Sequence, residues 1–170
     1  MALGRHPDGA KVHMTRIEAL TAALAWEIAG LPVEQQVDAL NQTRRALHEV
    51  GPFRAEPVDL VTWVRPRTLV SNPCAPKAAV SNDMDMLHVS IREDGFTQPI
   101  VTFPAGETRV LVDGVHRARI GRDMPDLRDR MHGYLPVVGI DKAEHDRKGT
   151  TMRHNWPWGR HHETGTEVEA

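Results

Sequence analysis

The run Thr108-Arg109-Val110-Leu111-Val112-Asp113-Gly114-Val115-His116-Arg117-Ala118-Arg119 constrains this chain more than any other segment. Its first half reads as a strand. Asp113-Gly114 is a turn pair, and a helix follows from about Val115 to Arg122. The first turn of a helix presents N–H groups with no intrahelical partner and carries a partial positive charge. Beside a glycine that lets backbone come close, such a turn is an anion site. His116 and Arg117 add side-chain donors at the same place. A guanidinium matches phosphate oxygens with two parallel hydrogen bonds, and an imidazole can donate or move a proton. Asp113 is placed to orient His116 or to bind a metal ion. The other reading of the same residues is a β-turn in which Asp113 caps an ordinary surface helix.

The surrounding pattern predicts an α+β fold. Met1 to Met14 is polar, with Gly4, Pro7 and Gly9, and reads as a disordered tail. Thr15 is a candidate N-cap with Glu18 at the capping-box position. Ile17, Leu20, Ala23, Leu24 and Ile28 then recur at helical spacing. A second helix starts at Pro32 and closes at Gly51, so residues 15–51 predict a helical hairpin. After a linker, Val58 to Val64 reads as a strand and Arg65 to Ala79 as a long loop with an Asn72-Pro73 turn signal. Ser81 or Asn82 caps a helix that stops near Gly95. Strands follow at Pro99 to Phe103 and Thr108 to Val112 around a Pro104-Ala105-Gly106-Glu107 turn. A short helix from Pro125, a buried strand over Tyr134 to Ile140 and a helix capped by Asp141 complete a domain spanning 56–162. Residues 163–170 form an acidic tail.

Composition sets limits on function. With 40% hydrophobic and 26% charged residues the chain can bury a core. Its net charge of -2 lacks the basic surplus of most nucleic-acid binders, although a local basic patch stays compatible with that sum. One cysteine, Cys74, permits no internal disulfide, which suits a cytoplasmic protein. No run resembles a signal peptide or a membrane span.

Two further clusters could carry chemistry. In Leu87 to Ile100, Gln98 offers an amide to a base or ribose, and Ser90 and Arg92 could line the same cleft. The plain alternative is a helix-to-strand connection. In His154 to His162, Asn155, Trp156, Trp158, Arg160 and His161 combine aromatic and basic groups, which suit stacking on nucleobases. Zinc-site spacing is missing there, and no metal site is assigned.

Taken in order, these blocks resemble the ParB/sulfiredoxin superfamily, in the ParB-like form found in phages and mobile elements. The matching elements are Asn72-Pro73, the helix ending SIREDGFTQPI, the VDGVHR loop, the LPVV strand and the closing HNWPWGRHH. Relatives of this type usually read Asn-Arg-Ala-Arg-Gly-x-His in the last block, where this chain places Trp156 and Trp158. The resemblance implies a ParB/sulfiredoxin-like domain with a small mixed sheet and flanking helices, preceded by the helical hairpin. It also implies a nucleoside triphosphate, ATP or CTP, with Mg2+. Members bind nucleotides with the DGxHR-like loop. In ParB the nucleotide is CTP and gates a DNA clamp, sulfiredoxin uses ATP on a sulfinic acid, and a free serine kinase uses ADP on a hydroxyl. Carried over, Gln98, Ser90, Gly114, Val115, His116 and Arg117 contact the nucleotide, while Asp113 and His116 are the catalytic candidates, with Glu93 and Asp94 behind Asp113.

Two departures narrow the expectation. Val115 stands where sulfiredoxin has its catalytic cysteine. The chain also ends about eight residues after the last motif, so no helix-turn-helix domain is expected to follow. The leading expectation is therefore a nucleotide-dependent phosphotransferase acting on a hydroxyl, with a hydroxymethylated base in DNA as the acceptor considered. The alternative is a ParB-like nucleotide-binding DNA adaptor or coactivator without transfer chemistry. Expected partners are nucleotide and DNA, with no membrane, and a homodimer through the N-terminal helices.

Overall fold

A computed structural model describes residues 7–72 and 81–155. The chain divides into two compact units, Met1–Thr43 and Arg44–Ala170, so the last turns of the second helix belong with the second unit rather than with the hairpin.

The first unit carries α1 (Pro7–Ala29) and the start of α2 (Val33–Val50). Helix α1 begins at Pro7, two turns before the predicted cap at Thr15. The physical reason is simple: Pro7 suits a first helical turn, and Ala10 to Met14 contain no breaker. The tight connection is present, with Leu31 N–H donating to the Ile28 carbonyl and the Gln36 side chain donating to the Leu31 carbonyl at 2.7 Å. The apolar stripe of α1 remains largely open: Ile17, Leu20 and Leu24 are exposed, while Ile28 is buried.

The second unit is built on a five-stranded mixed sheet. Its strands are β1 (Thr62–Val64), β2 (Leu69–Val70), β3 (Ile100–Ala105), β4 (Thr108–Asp113) and β5 (Leu135–Gly139), in the order β1-β5-β3-β4-β2. The β3–β4 and β1–β5 pairs are antiparallel, while β3–β5 and β2–β4 are parallel. Three predicted boundaries change. Pro57–Asp59 is a 3₁₀ turn, because proline cannot donate to a ladder, and the strand shrinks to Thr62–Val64. The predicted loop after Arg65 contains a 3₁₀ turn, Pro66–Thr68, and the short edge strand β2. Two residues of pairing leave no periodic signal to read. Helix α6 runs Glu144–Asn155, so Asp141 lies ahead of it instead of capping it.

Helices α3 (Ser81–Asp94), α4 (Val115–Asp123) and α5 (Pro125–Arg130) close one face of the sheet. Ile91, Ile100, Leu111, Ile120, Leu127 and Leu135 meet there in one buried cluster. Each such side chain contributes about 1.5–3 kcal/mol on burial. Gly121 lets α4 sit close: a Cβ there would stand 2.5 Å from Leu135 Cδ2. On α6, Arg147 lies over the Phe103 ring, 5.3 Å from its centroid, and donates to the Pro104 carbonyl at 3.2 Å. Buried Thr151 accepts a hydrogen bond from Asn72 at 3.0 Å, tying the Asn72 segment to α6. Among the described residues, no helix is long and apolar enough to cross a membrane.

Candidate functional site

The predicted strand-to-helix switch is realised at the end of β4. The β3–β4 register shifts between Val101 and Thr102, so that Thr102 faces Leu111 while Val101 faces Asp113. Such an extra residue bends a strand and re-aims the side chains beyond it. Gly114 follows with φ 83 and ψ 26, the left-handed region that glycine enters without strain. Its carbonyl accepts the first helical hydrogen bond of α4, from Ala118 N–H at 2.8 Å. The N–H groups of Val115, His116 and Arg117 therefore lie ahead of the helical ladder, and no described side chain caps the turn.

Arg117 is the organising side chain. It donates from Nη2 to Asp113 Oδ2 at 3.0 Å and from Nη1 to Gln98 Oε1 at 2.6 Å. Its side chain is only 14% exposed, so this arrangement is partly shielded from water. The guanidinium folds back over the turn, and a Cβ on Gly114 would stand 3.0 Å from Arg117 Nε. Gly114 thus serves twice, through its φ and through the space it leaves.

These bonds redistribute the roles assigned from sequence. Gln98 and Asp113 come together with Arg117. Their polar atoms face the guanidinium, however, so Asp113 anchors Arg117 where the sequence offered it to His116 or to an acceptor. His116 is half-buried and makes no hydrogen bond or ion pair among the described residues. Val115 packs its side chain on the core, leaving its N–H as the group it can offer. Ser90 is exposed on α3, and no bond joins it to the loop. Of the reserve carboxylates, Glu93 accepts from Arg92 at 3.0 Å and Asp94 is exposed at the end of α3. Asn155 is the last residue of α6, and its side chain lies outside the described residues, as do Trp156, Trp158, Arg160 and His161. Pro73 and Cys74 lie outside them too.

Sequence reading passed over Arg130. Its guanidinium donates to the Arg92 carbonyl at 2.8 Å and the Ile91 carbonyl at 2.7 Å. That satisfies the open carbonyl end of α3 just before the segment that delivers Gln98. Basic residues near helix ends are common enough that no signal in the sequence singles this one out.

The donor set fits a phosphate better than a metal ion. It offers first-turn N–H groups, a fixed guanidinium and an unengaged imidazole. The carboxylate in the loop is paired with Arg117, and among the described residues no cluster of three or more His, Cys, Asp or Glu could hold a cation.

No family model matches the chain. It is 40% identical over 148 residues to the protein named Uncharacterized protein YbdM of Escherichia coli (strain K12), an alignment covering 86% of this chain and 71% of that one. The chain belongs to the YbdM family. Among solved structures it is similar to the C-terminally truncated chromosome-partitioning protein ParB from Caulobacter crescentus, complexed with CTP-γ-S, at a TM-score of 0.44 and 22% identity. That likeness covers 56% of this chain and 52% of the ParB chain, so the match spans about half of the ParB chain.

Proposed function

We propose that this chain is a nucleotide-binding protein of ParB/sulfiredoxin-like fold, with the Asp113–Arg117 loop holding the terminal phosphates of a nucleoside triphosphate. The observation that carries this reading is the arginine clamp at the open end of α4. Gln98 and Asp113 hold Arg117 beside first-turn N–H groups that lack helical partners. A pre-oriented guanidinium loses little freedom when an anion arrives. Ordered sequence motifs support a nucleotide as the source of that phosphate. Within this reading the nucleotide switches a DNA-associated adaptor, and two copies pair through the exposed apolar stripe of α1.

The test is calorimetric titration of the full chain with CTP, ATP and GTP. Saturable binding of at least one is the expected result. Arg117→Ala should weaken it by roughly 10- to 100-fold, the scale of a charged hydrogen bond. Equal affinity in the variant would remove the loop assignment.

A second reading, phosphoryl transfer to a hydroxyl, draws on His116. It is an imidazole beside the clamp without a described partner, and it could take the acceptor's proton. Phosphoryl transfer needs mainly positioning and charge stabilisation, which this loop could supply. Incubation with γ-labelled ATP and DNA containing hydroxymethylated bases separates the two readings. Label in wild-type DNA and its loss in His116→Ala favour transfer. Nucleotide-dependent DNA retention without label favours the adaptor.

A further inference from the structure

A cavity of about 630 Å³ opens at the opposite end of β4, wholly within the second unit. Arg109 is the second residue of that strand, and Asp113 ends it about 13 Å further along. The cavity is therefore separate from the Arg117 clamp. Among the described residues, four permanent cations line it, Arg45, Arg54, Arg109 and Lys142, together with His48. Asp141 is the carboxylate in that described lining, and it is exposed. The rest of the described wall is mostly apolar, with Leu60, Pro57, Pro104 and Ile140 beside Thr62.

The cations converge from separate segments of the chain. Arg45 and His48 stand three residues apart on α2, which places them on one face. Asp59 binds His48 at 2.6 Å and so fastens the end of α2 to the Pro57–Asp59 turn. Gly139, at the end of β5, lies beside Arg109: a Cβ there would stand in ordinary contact, 3.5 Å from Arg109 Nη1.

Arg109 and Arg45 find no acceptor or carboxylate among the described residues. Burial, and then the nearby Arg45 charge, push the Arg109 guanidinium below its ordinary pKa. Proteins usually pair a half-buried arginine, since an uncompensated charge away from water is costly. Here two guanidiniums oppose each other across a concave space, an arrangement that an anion would relieve.

We infer that this cavity is a second ligand site, for a small organic phosphate. Its phosphate groups would sit among Arg45, Arg54, Arg109 and Lys142, and its body would rest against Leu60, Pro57, Pro104 and Ile140. The cavity's volume suits a small molecule, since ligand pockets commonly measure about 300–1,000 Å³. A phosphodiester backbone alone would leave the apolar wall unused. The site stands independently of the loop reading.

The test follows backbone and arginine Nε signals of the 15N-labelled full chain during titration with sodium pyrophosphate, AMP and, separately, a DNA duplex. Saturable shifts at Arg45, Arg109, Gly139 and Lys142 with AMP or pyrophosphate are expected. They should persist in Arg117→Ala, whatever becomes of the nucleotide loop. Arg109→Ala should lower affinity by roughly 10- to 100-fold. Arg45→Glu, on an exposed helix face where folding is not at stake, should lower it by at least tenfold. Shifts confined to residues 113–117 would overturn the proposal. So would unchanged affinity in Arg45→Glu, or a response to the duplex with none to the small phosphates.

Discussion

The two ends of β4 use the same residue type in opposite ways. At the Asp113 end, Arg117 is held by a carboxylate and an amide oxygen. At the Thr108 end, Arg109 faces another arginine across a cavity and has no described partner. A paired arginine has its geometry fixed by the fold and keeps a remainder of charge for a ligand. An unpaired, half-buried one has charge in excess, and the fold carries that cost. The difference teaches that one strand can present a rigidly paired arginine at one end and an electrostatically unbalanced pocket at the other. The Asp113–Arg117 loop together with Gln98 supplies the first, while segments spread more widely along the chain supply the second.

The largest effect should come from the turn that builds the clamp. Gly114→Val places a β-branched residue at φ 83, against a guanidinium 3.0 Å away. It should cost about 2–3 kcal/mol in urea unfolding and abolish loop-end ligand binding. A variant as stable as wild type would show that the turn relaxes and that the clamp does not depend on it.

Removing each arginine's charge while keeping its stem breaks the comparison directly. Arg117→Met should destabilise by about 1–2 kcal/mol, because it leaves Asp113 and Gln98 without their donor. Arg109→Met should leave stability unchanged or raise it by up to about 1 kcal/mol, because it ends the opposition with Arg45. Equal losses in both variants, by chemical denaturation at neutral pH, would mean that the two ends are not different in kind.

The smallest effect supplies a control for the clamp's ion pair. Asp123 accepts from Arg122 Nε at 2.7 Å at the far end of α4, and both side chains are largely exposed. The Arg122 hydrogen bond outweighs desolvation and holds the Asp123 carboxyl below its ordinary range. A depressed carboxylate contributes stability above its unfolded pKa, near 3.9, and loses that contribution as pH falls through the lower folded value. Asp123→Asn should therefore change stability by on the order of 0.3 kcal/mol at pH 7 and by nothing once pH is well below 3. Asp113→Asn should exceed that at pH 7, because its pair is shielded. A smaller effect at Asp113 than at Asp123 would sink the view that shielding distinguishes them.

Much of the domain was legible because its signals are local. Glycine after Asp113, the apolar Val110-Leu111-Val112 run before it and the helical run after it specify a strand, a turn and a helix within fifteen residues. Gly95 likewise marks the end of α3, where it adopts φ 81. Helix starts were read less well. Pro7 and Glu144 open their helices away from the chosen caps, since side-chain caps stabilise a start without dictating one. Strand β2 escaped notice because two residues become a strand only through pairing with β4. The bulge beside Val101 escaped it for the same reason.

By itself, the sequence determined the loop at Asp113–Arg117 and its place between a strand and a helix. Those depend on φ preferences and on spacing that neighbouring residues enforce. Only the tertiary structure decided what Asp113 does, because its partner could have been His116 or Arg117 at similar separations. It alone also assembled the cavity at the other end of β4. Arg45, Arg54, Arg109 and Lys142 are spread over almost a hundred positions of chain, and nothing short of packing α2 and three strands together could have made their charges neighbours.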